Sequence, residues 1–163
     1  MGVDPGLVAT GFAVLEAAPG AVTVLDVGVI STGATQSLEA RLNAIHRAVL
    51  QIIEAHAPAF LVVEDLYAEY KFPRTAILMG HARGVIYLAA RQLGVAVTAL
   101  APSEVKRAVT GSGAAGKTQV QRSVQTLLGL RDLPRPSHVA DALGLAVTGL
   151  ARLTGITPKR AAR

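Results

Sequence analysis

Apolar positions in this chain come in two rhythms: short runs rich in β-branched residues, and longer stretches in which they recur every three or four places. Gly11 to Leu15 and Ala21 to Ile30 belong to the first kind, and the Ala-Pro-Gly between them predicts a hairpin. With the opening Met1-Gly2-Val3, which ends in Asp4 at a Pro-Gly turn, they predict a three-stranded meander. Ser37 to His56 has helical spacing, with Leu38, Leu42, Ile45, Val49, Ile52 and Ile53 as its apolar positions, Ser37 at the N-cap and Pro58 past the end. Phe60-Leu61-Val62-Val63 predicts a strand ending at Glu64. Pro73 to Leu93 reads as helix, its proline tolerable in the first turn, with Gly94 as cap. Val95 to Leu100 reads as strand, and Pro102 to Val109, Lys117 to Leu128 and Pro136 to Leu153 as helices. The order predicts an α/β fold: a mixed five-stranded sheet, part antiparallel meander and part strands reached through helical crossovers, flanked by helices. One domain over residues 1–153 and a basic, flexible tail over 154–163 are expected.

Four polar residues interrupt these apolar segments: Asp4, Glu64, His138 and Asp141. If the strands ending in Asp4 and Glu64 are neighbours, their carboxylates meet at one sheet edge. Like charges about 3 to 5 Å apart do not both stay ionised without a cation between them. A divalent metal site is the economical explanation. His138 and Asp141 are three residues apart on a predicted helix, so they project from one face. Pro134-Arg135-Pro136-Ser137 marks that helix's start, where the macrodipole is expected to keep Asp141 ionised. His138 alone is an ordinary first-turn histidine and becomes a candidate ligand only through its company. Asp65 points the other way by strand alternation and reads as a solvent-facing turn residue.

Composition narrows the chemistry. At 163 residues, 51% of them hydrophobic, the chain suits one domain with a sizeable core. With no cysteine, disulfides, thiolate zinc sites and a cysteine nucleophile are excluded. Its four histidines (46, 56, 81, 138) lack zinc-like spacing, so any metal is held mainly by oxygen. No apolar stretch reaches membrane-spanning length and no secretory leader pattern opens the chain, which predicts a cytoplasmic protein without membrane contact. Residues 1–70 hold two basic residues against eight acidic ones, and residues 71–163 hold fourteen against three. Such a basic second half predicts contact with a polyanion.

Gly111-Ser-Gly-Ala-Ala-Gly-Lys117-Thr118 matches the phosphate-loop pattern of nucleotide-binding proteins. That loop must leave a buried strand, whereas Ser103 to Val109 before it, with Glu104, Lys106 and Arg107, reads as helix. The segment suits a flexible basic loop that brings Lys117 to a phosphate. Gly80 and Gly84, four apart, allow another backbone close, either the chain's own sheet or a partner helix. Tyr67, three past Glu64, is either a rim aromatic on its own loop or a stacking platform for an unpaired base.

Several of these features form a set. Asp4-Pro-Gly, Thr10-Gly11, Val-Val-Glu64 followed by Tyr67, Ala82-Arg83-Gly84-Val85, Pro/Ser-x-x-Val105-Lys106, Gly116-Lys117-x-Gln119-Val120 and His138-x-Ala140-Asp141-Ala142-Leu143 together resemble RuvC-type Holliday junction resolvases, in order and spacing over about residues 3–150. The resemblance implies a ribonuclease H-like fold and a homodimer. It also implies Mg²⁺- or Mn²⁺-dependent cutting of four-way DNA junctions in recombination and repair, with two ions per site and a branch-migration complex as partner. It assigns the metal ligands to Asp4, Glu64, His138 and Asp141, and adds Lys117 to the catalytic set. It puts DNA contacts on Tyr67, Arg74, Lys106, Arg107 and Lys117. Two departures stand out. Many members carry aspartate where this chain has His138; an imidazole ligand favours Mn²⁺ over Mg²⁺, and histidine could instead act as base or orient the attacking water. Only three residues precede Asp4, fewer than the family has, which is expected to loosen Asp4. The rival readings are a non-cutting junction binder of the same fold, an RNA-directed ribonuclease H-like nuclease and a small phosphate-loop NTPase.

Overall fold

The computed structural model describes residues 1–18, 21–66 and 73–158, so Tyr67 lies outside the described residues. The chain runs β1 (Gly2–Asp4), β2 (Ala9–Ala18), β3 (Ala21–Ser31), α1 (Leu38–His56), β4 (Phe60–Glu64), α2 (Pro73–Gln92), β5 (Ala96–Leu100), α3 (Pro102–Thr110), α4 (Lys117–Leu128) and α5 (Ser137–Thr154). The sheet order is β3-β2-β1-β4-β5. β1, β2 and β3 pair antiparallel, while β1, β4 and β5 run parallel. This is the expected meander with crossover strands attached. β2 is longer than its β-branched run suggested: the ladder with β3 continues past Leu15 to Ala18, with an irregularity between Val14 and Leu15.

Alternation along the central strands sorts the core into two layers. Val3, Leu61 and Val63 face one side, where they pack with Ile45, Val49 and Ile53 of α1 and Ile86 of α2. Val62 faces the other, against Leu145 of α5 and Val105 of α3. The middle of α5 is therefore buried all round, from Ala142 to Leu150. It crosses the sheet unusually closely. A Cβ on Gly2 would overlap the backbone of Ala142 and Ala146, and one on Gly11 would overlap the His138 carbonyl. Glycine at those two strand positions is what lets the helix lie flat on β1 and β2.

The glycine-rich segment connects α3 to α4, with no strand before it, as its sequence context implied. Ala115 is buried in the core beside α4 and α5, and Thr110 Oγ1 donates to the Lys106 and Ser112 carbonyls. The expected loosening of Asp4 is not seen: it pairs with Gly11 in the sheet ladder and is only 7% exposed. Among the described residues no helix is long and apolar enough to cross a membrane.

Candidate active site

β1 and β4 are parallel neighbours, with Gly2 opposite Val62 and Val3 opposite Val63. One residue further along each strand stand Asp4 and Glu64. Since Val3 and Val63 point to the α1 and α2 side, both carboxylates point to the other, toward α5. There the first turns of α5 carry His138 and Asp141. The site thus forms at the carboxyl ends of parallel strands, where open α/β sheets receive ligands.

All four side chains feel one another. His138 Nδ1–H donates to Asp4 Oδ2 at 2.7 Å, joining two residues 134 apart in sequence. That hydrogen bond, more than any other influence, raises the His138 pKa. Glu64 is pushed up to about 7, first by burial and then by the charges of Asp4 and Asp141. Asp141 is pushed up to about 6, again by burial first and Asp4 next. Asp141 therefore remains mainly ionised at neutral pH, although burial and the neighbouring Asp4 carry it above the ordinary carboxylate range.

Lys106 and Lys117 are the basic groups that oppose these shifts: Lys106 acts on Glu64 and Asp141, and Lys117 on Asp141 and His138. Lys117 is exposed at the first residue of α4, beyond the Gly116 N-cap, and Lys106 is half-buried on α3. Arg107 beside it and Arg74 in the first turn of α2 are both exposed. A cleft of about 480 Å³ opens beside the Asp4–His138 pair, with Leu7, Arg41, Thr75 and Leu78 also in its walls.

Three carboxylates and an imidazole form a donor set suited to a hard divalent cation. The raised carboxyls record crowded negative charge in poorly solvated surroundings, a condition that such an ion relieves. As the side chains stand, however, no three of the His, Asp and Glu groups among the described residues are close enough to share one ion. The Asp4–His138 hydrogen bond occupies two of the four.

Two contacts beside the site were not read from the sequence. Asp65 is not simply solvent-facing: its Oδ1 accepts from Arg83 Nη2 at 3.0 Å on the α2 side of the sheet. Arg83 Nε also donates to the Glu64 carbonyl at 2.9 Å. The available signal was an arginine inside an apolar helix with Tyr87 four residues on.

The sequence profile of the family described as crossover junction endodeoxyribonuclease RuvC matches residues 1–149. The RuvC of Rhodopirellula baltica is 42% identical over 149 residues, covering 91% of this chain and 84% of that one. The RuvC of Moorella thermoacetica is 44% identical over 147 residues, covering 90% and 87%. Among solved structures, T. thermophilus RuvC in complex with a Holliday junction substrate superposes with a TM-score of 0.86 at 34% identity, covering 97% of each chain. Its ribonuclease H-like architecture is the one seen here. By profile, sequence and fold alike, the chain belongs to the crossover junction endodeoxyribonuclease RuvC family.

Proposed function

We propose that this protein is a structure-selective endonuclease that resolves four-way DNA junctions in recombination and repair by paired, metal-dependent phosphodiester hydrolysis. The observation that carries the reading is the convergence of Asp4, Glu64, His138 and Asp141 on one side of the sheet, opposed by Lys106 and Lys117, in a chain of this family. Asp4, whose charge acts on Glu64, His138 and Asp141 alike, would be the shared ligand of two Mg²⁺ or Mn²⁺ ions, and Glu64 and Asp141 would be the further carboxylate ligands. Such ions, when bound, acidify the attacking water and offset charge on the leaving 3′ oxygen. His138 joins such a shell through Nδ1 only if its hydrogen bond to Asp4 opens. Lys117, exposed at the surface where it can meet a phosphate, offsets charge that develops on the scissile group. Lys106, Arg107 and Arg74 bind backbone phosphates, and Tyr67 stacks on a base near the junction centre.

One nuclease domain over residues 1–153, acting in the cytoplasm as a homodimer beside a branch-migration complex, completes the reading. Support for a partner copy comes from α2. Arg74, Ile77, His81, Gly84, Leu88 and Arg91 are exposed at alternating spacings of three and four, with Ile77 61% and Leu88 51% exposed. A Cβ on Gly84 would meet nothing within 4 Å, so the chain's own packing does not call for a glycine there. A second backbone approaching that face would.

His138 has a second reading, as the group that orients Asp4 or serves as base, which its hydrogen bond favours. A direct nitrogen ligand predicts faster cutting with Mn²⁺ than with Mg²⁺; the reverse order assigns His138 to the orienting role. The function itself is tested with a synthetic four-way junction, a plain duplex and an RNA–DNA hybrid, each with and without divalent metal. Paired nicks in the junction alone are expected. Binding without nicking at any metal concentration, or preference for the hybrid, would overturn it.

A further inference from the structure

Glu64 ends β4, and its backbone carbonyl lies where the parallel ladder with β5 runs out. The ladder's last pair is Glu64 with Leu100, extended only by the Asp65 amide donating to the Leu100 carbonyl at 2.8 Å. On the far side, α2 supplies the missing donor. Arg83 Nε donates to the Glu64 carbonyl at 2.9 Å, while its Nη2 donates to Asp65 Oδ1 at 3.0 Å and to Tyr87 Oη at 2.8 Å. The guanidinium also lies 5.0 Å from the Tyr87 ring centroid. Asp65 Oδ1 in turn accepts the Leu66 amide at 2.9 Å, so Arg83 holds two consecutive residues directly and a third through Asp65.

We propose that Arg83 is a positioning residue: by gripping the strand end from behind, it fixes the direction in which Glu64 presents its carboxylate to a divalent ion. The inference rests on the metal reading above. Arg83 touches neither substrate nor metal, and it reaches the site through the Glu64 main chain alone. Its ion pair with Asp65 is not the source of the effect, since Asp65 is half exposed and such pairs contribute little. The fork geometry is. Three acceptors in different directions are matched by a planar guanidinium whose own side chain is 19% exposed, and a lysine ammonium cannot reproduce that pattern. Residues that orient a metal ligand from behind typically change metal affinity or activity by roughly 10- to 100-fold when replaced.

The test compares wild type, Arg83→Lys and Asp65→Asn in three measurements: Mn²⁺ binding to the DNA-free protein by titration calorimetry, the affinity for an uncut junction in Ca²⁺, and the thermal midpoint. Arg83→Lys is expected to weaken Mn²⁺ binding roughly tenfold. Junction affinity should stay within about twofold and the midpoint within a few degrees. Asp65→Asn keeps the Oδ1 acceptor and is expected to bind Mn²⁺ like wild type. Equal Mn²⁺ affinity in wild type and Arg83→Lys would overturn the proposal, as would parallel loss of metal binding, junction binding and thermal midpoint, the mark of a merely structural brace. Wild type that takes up no Mn²⁺ while remaining folded would instead remove the metal reading beneath it.

Discussion

Glu64→Gln should make the metal-free protein more stable while destroying its catalytic site. Burial first, then the charges of Asp4 and Asp141, carry the Glu64 pKa from 4.5 to about 7. A carboxyl whose folded pKa is raised holds its proton more tightly in the folded state. Its favourable contribution is complete below the unfolded value and is lost as pH rises toward the folded one. At pH 8 Glu64 is ionised in both states, and the displacement corresponds to roughly 3 kcal/mol against folding, at about 1.4 kcal/mol per tenfold change in its dissociation constant. Glutamine keeps the shape and removes the charge. For a chain of this size each kcal/mol moves the thermal midpoint by roughly 2–4 °C, so Glu64→Gln is expected to melt roughly 6–12 °C higher at pH 8. Near pH 4.5 the two should nearly coincide. His138, raised chiefly by its hydrogen bond to Asp4, adds a wild-type loss of the same sign above pH 6.5, and the variant retains that part. Calorimetry in EDTA from pH 4.5 to 8 measures the difference directly. An unchanged or lower midpoint for Glu64→Gln at pH 8 would refute the charge-crowding argument.

Asp4→Asn and Asp141→Asn are expected to abolish junction cutting while leaving junction affinity within about threefold, because ligation and basic contacts are carried by different residues; gel-shift and nicking assays check this together. Lys117→Ala should slow single-turnover cutting by roughly 10²-fold or more with little change in affinity, as expected for a group acting on developing charge. Gly11→Ala puts a methyl into the His138 carbonyl and must push back the first turn of α5, costing roughly 1–3 kcal/mol by thermal melting and most of the activity. Leu88→Glu, in the middle of the exposed α2 face, is expected to shift the protein from dimer to monomer by light scattering while leaving the thermal midpoint of the monomer nearly unchanged.

The fold was legible because the local signals agreed with one another. β-branched runs, Pro58 and Gly94 gave the element order, and helical spacing gave α1 and α5 almost to the residue. The site was legible because carboxylates at strand ends have few other reasons to be there. What failed was whatever depends on how close two segments come. The approach of α5 to the sheet, which places the His138 carbonyl against Gly11, is set by the absence of a side chain and leaves no pattern of its own. The desolvation that carries the Asp141 pKa up to about 6 is likewise a property of packing rather than of spacing. Arg83 was visible only as part of a helix, since its partners on β4 are 18 and 19 residues away. The burial of Ala115 was not legible either, because a small residue among glycines gives no sign of it.

Crystals soaked in Mn²⁺ and measured at a wavelength where manganese scatters anomalously would test the central claim most directly. The account predicts anomalous peaks touched by Asp4 together with at least two of Glu64, His138 and Asp141. Manganese bound elsewhere on the molecule, or a bare site in a protein that still nicks junctions in the same metal concentration, would contradict it.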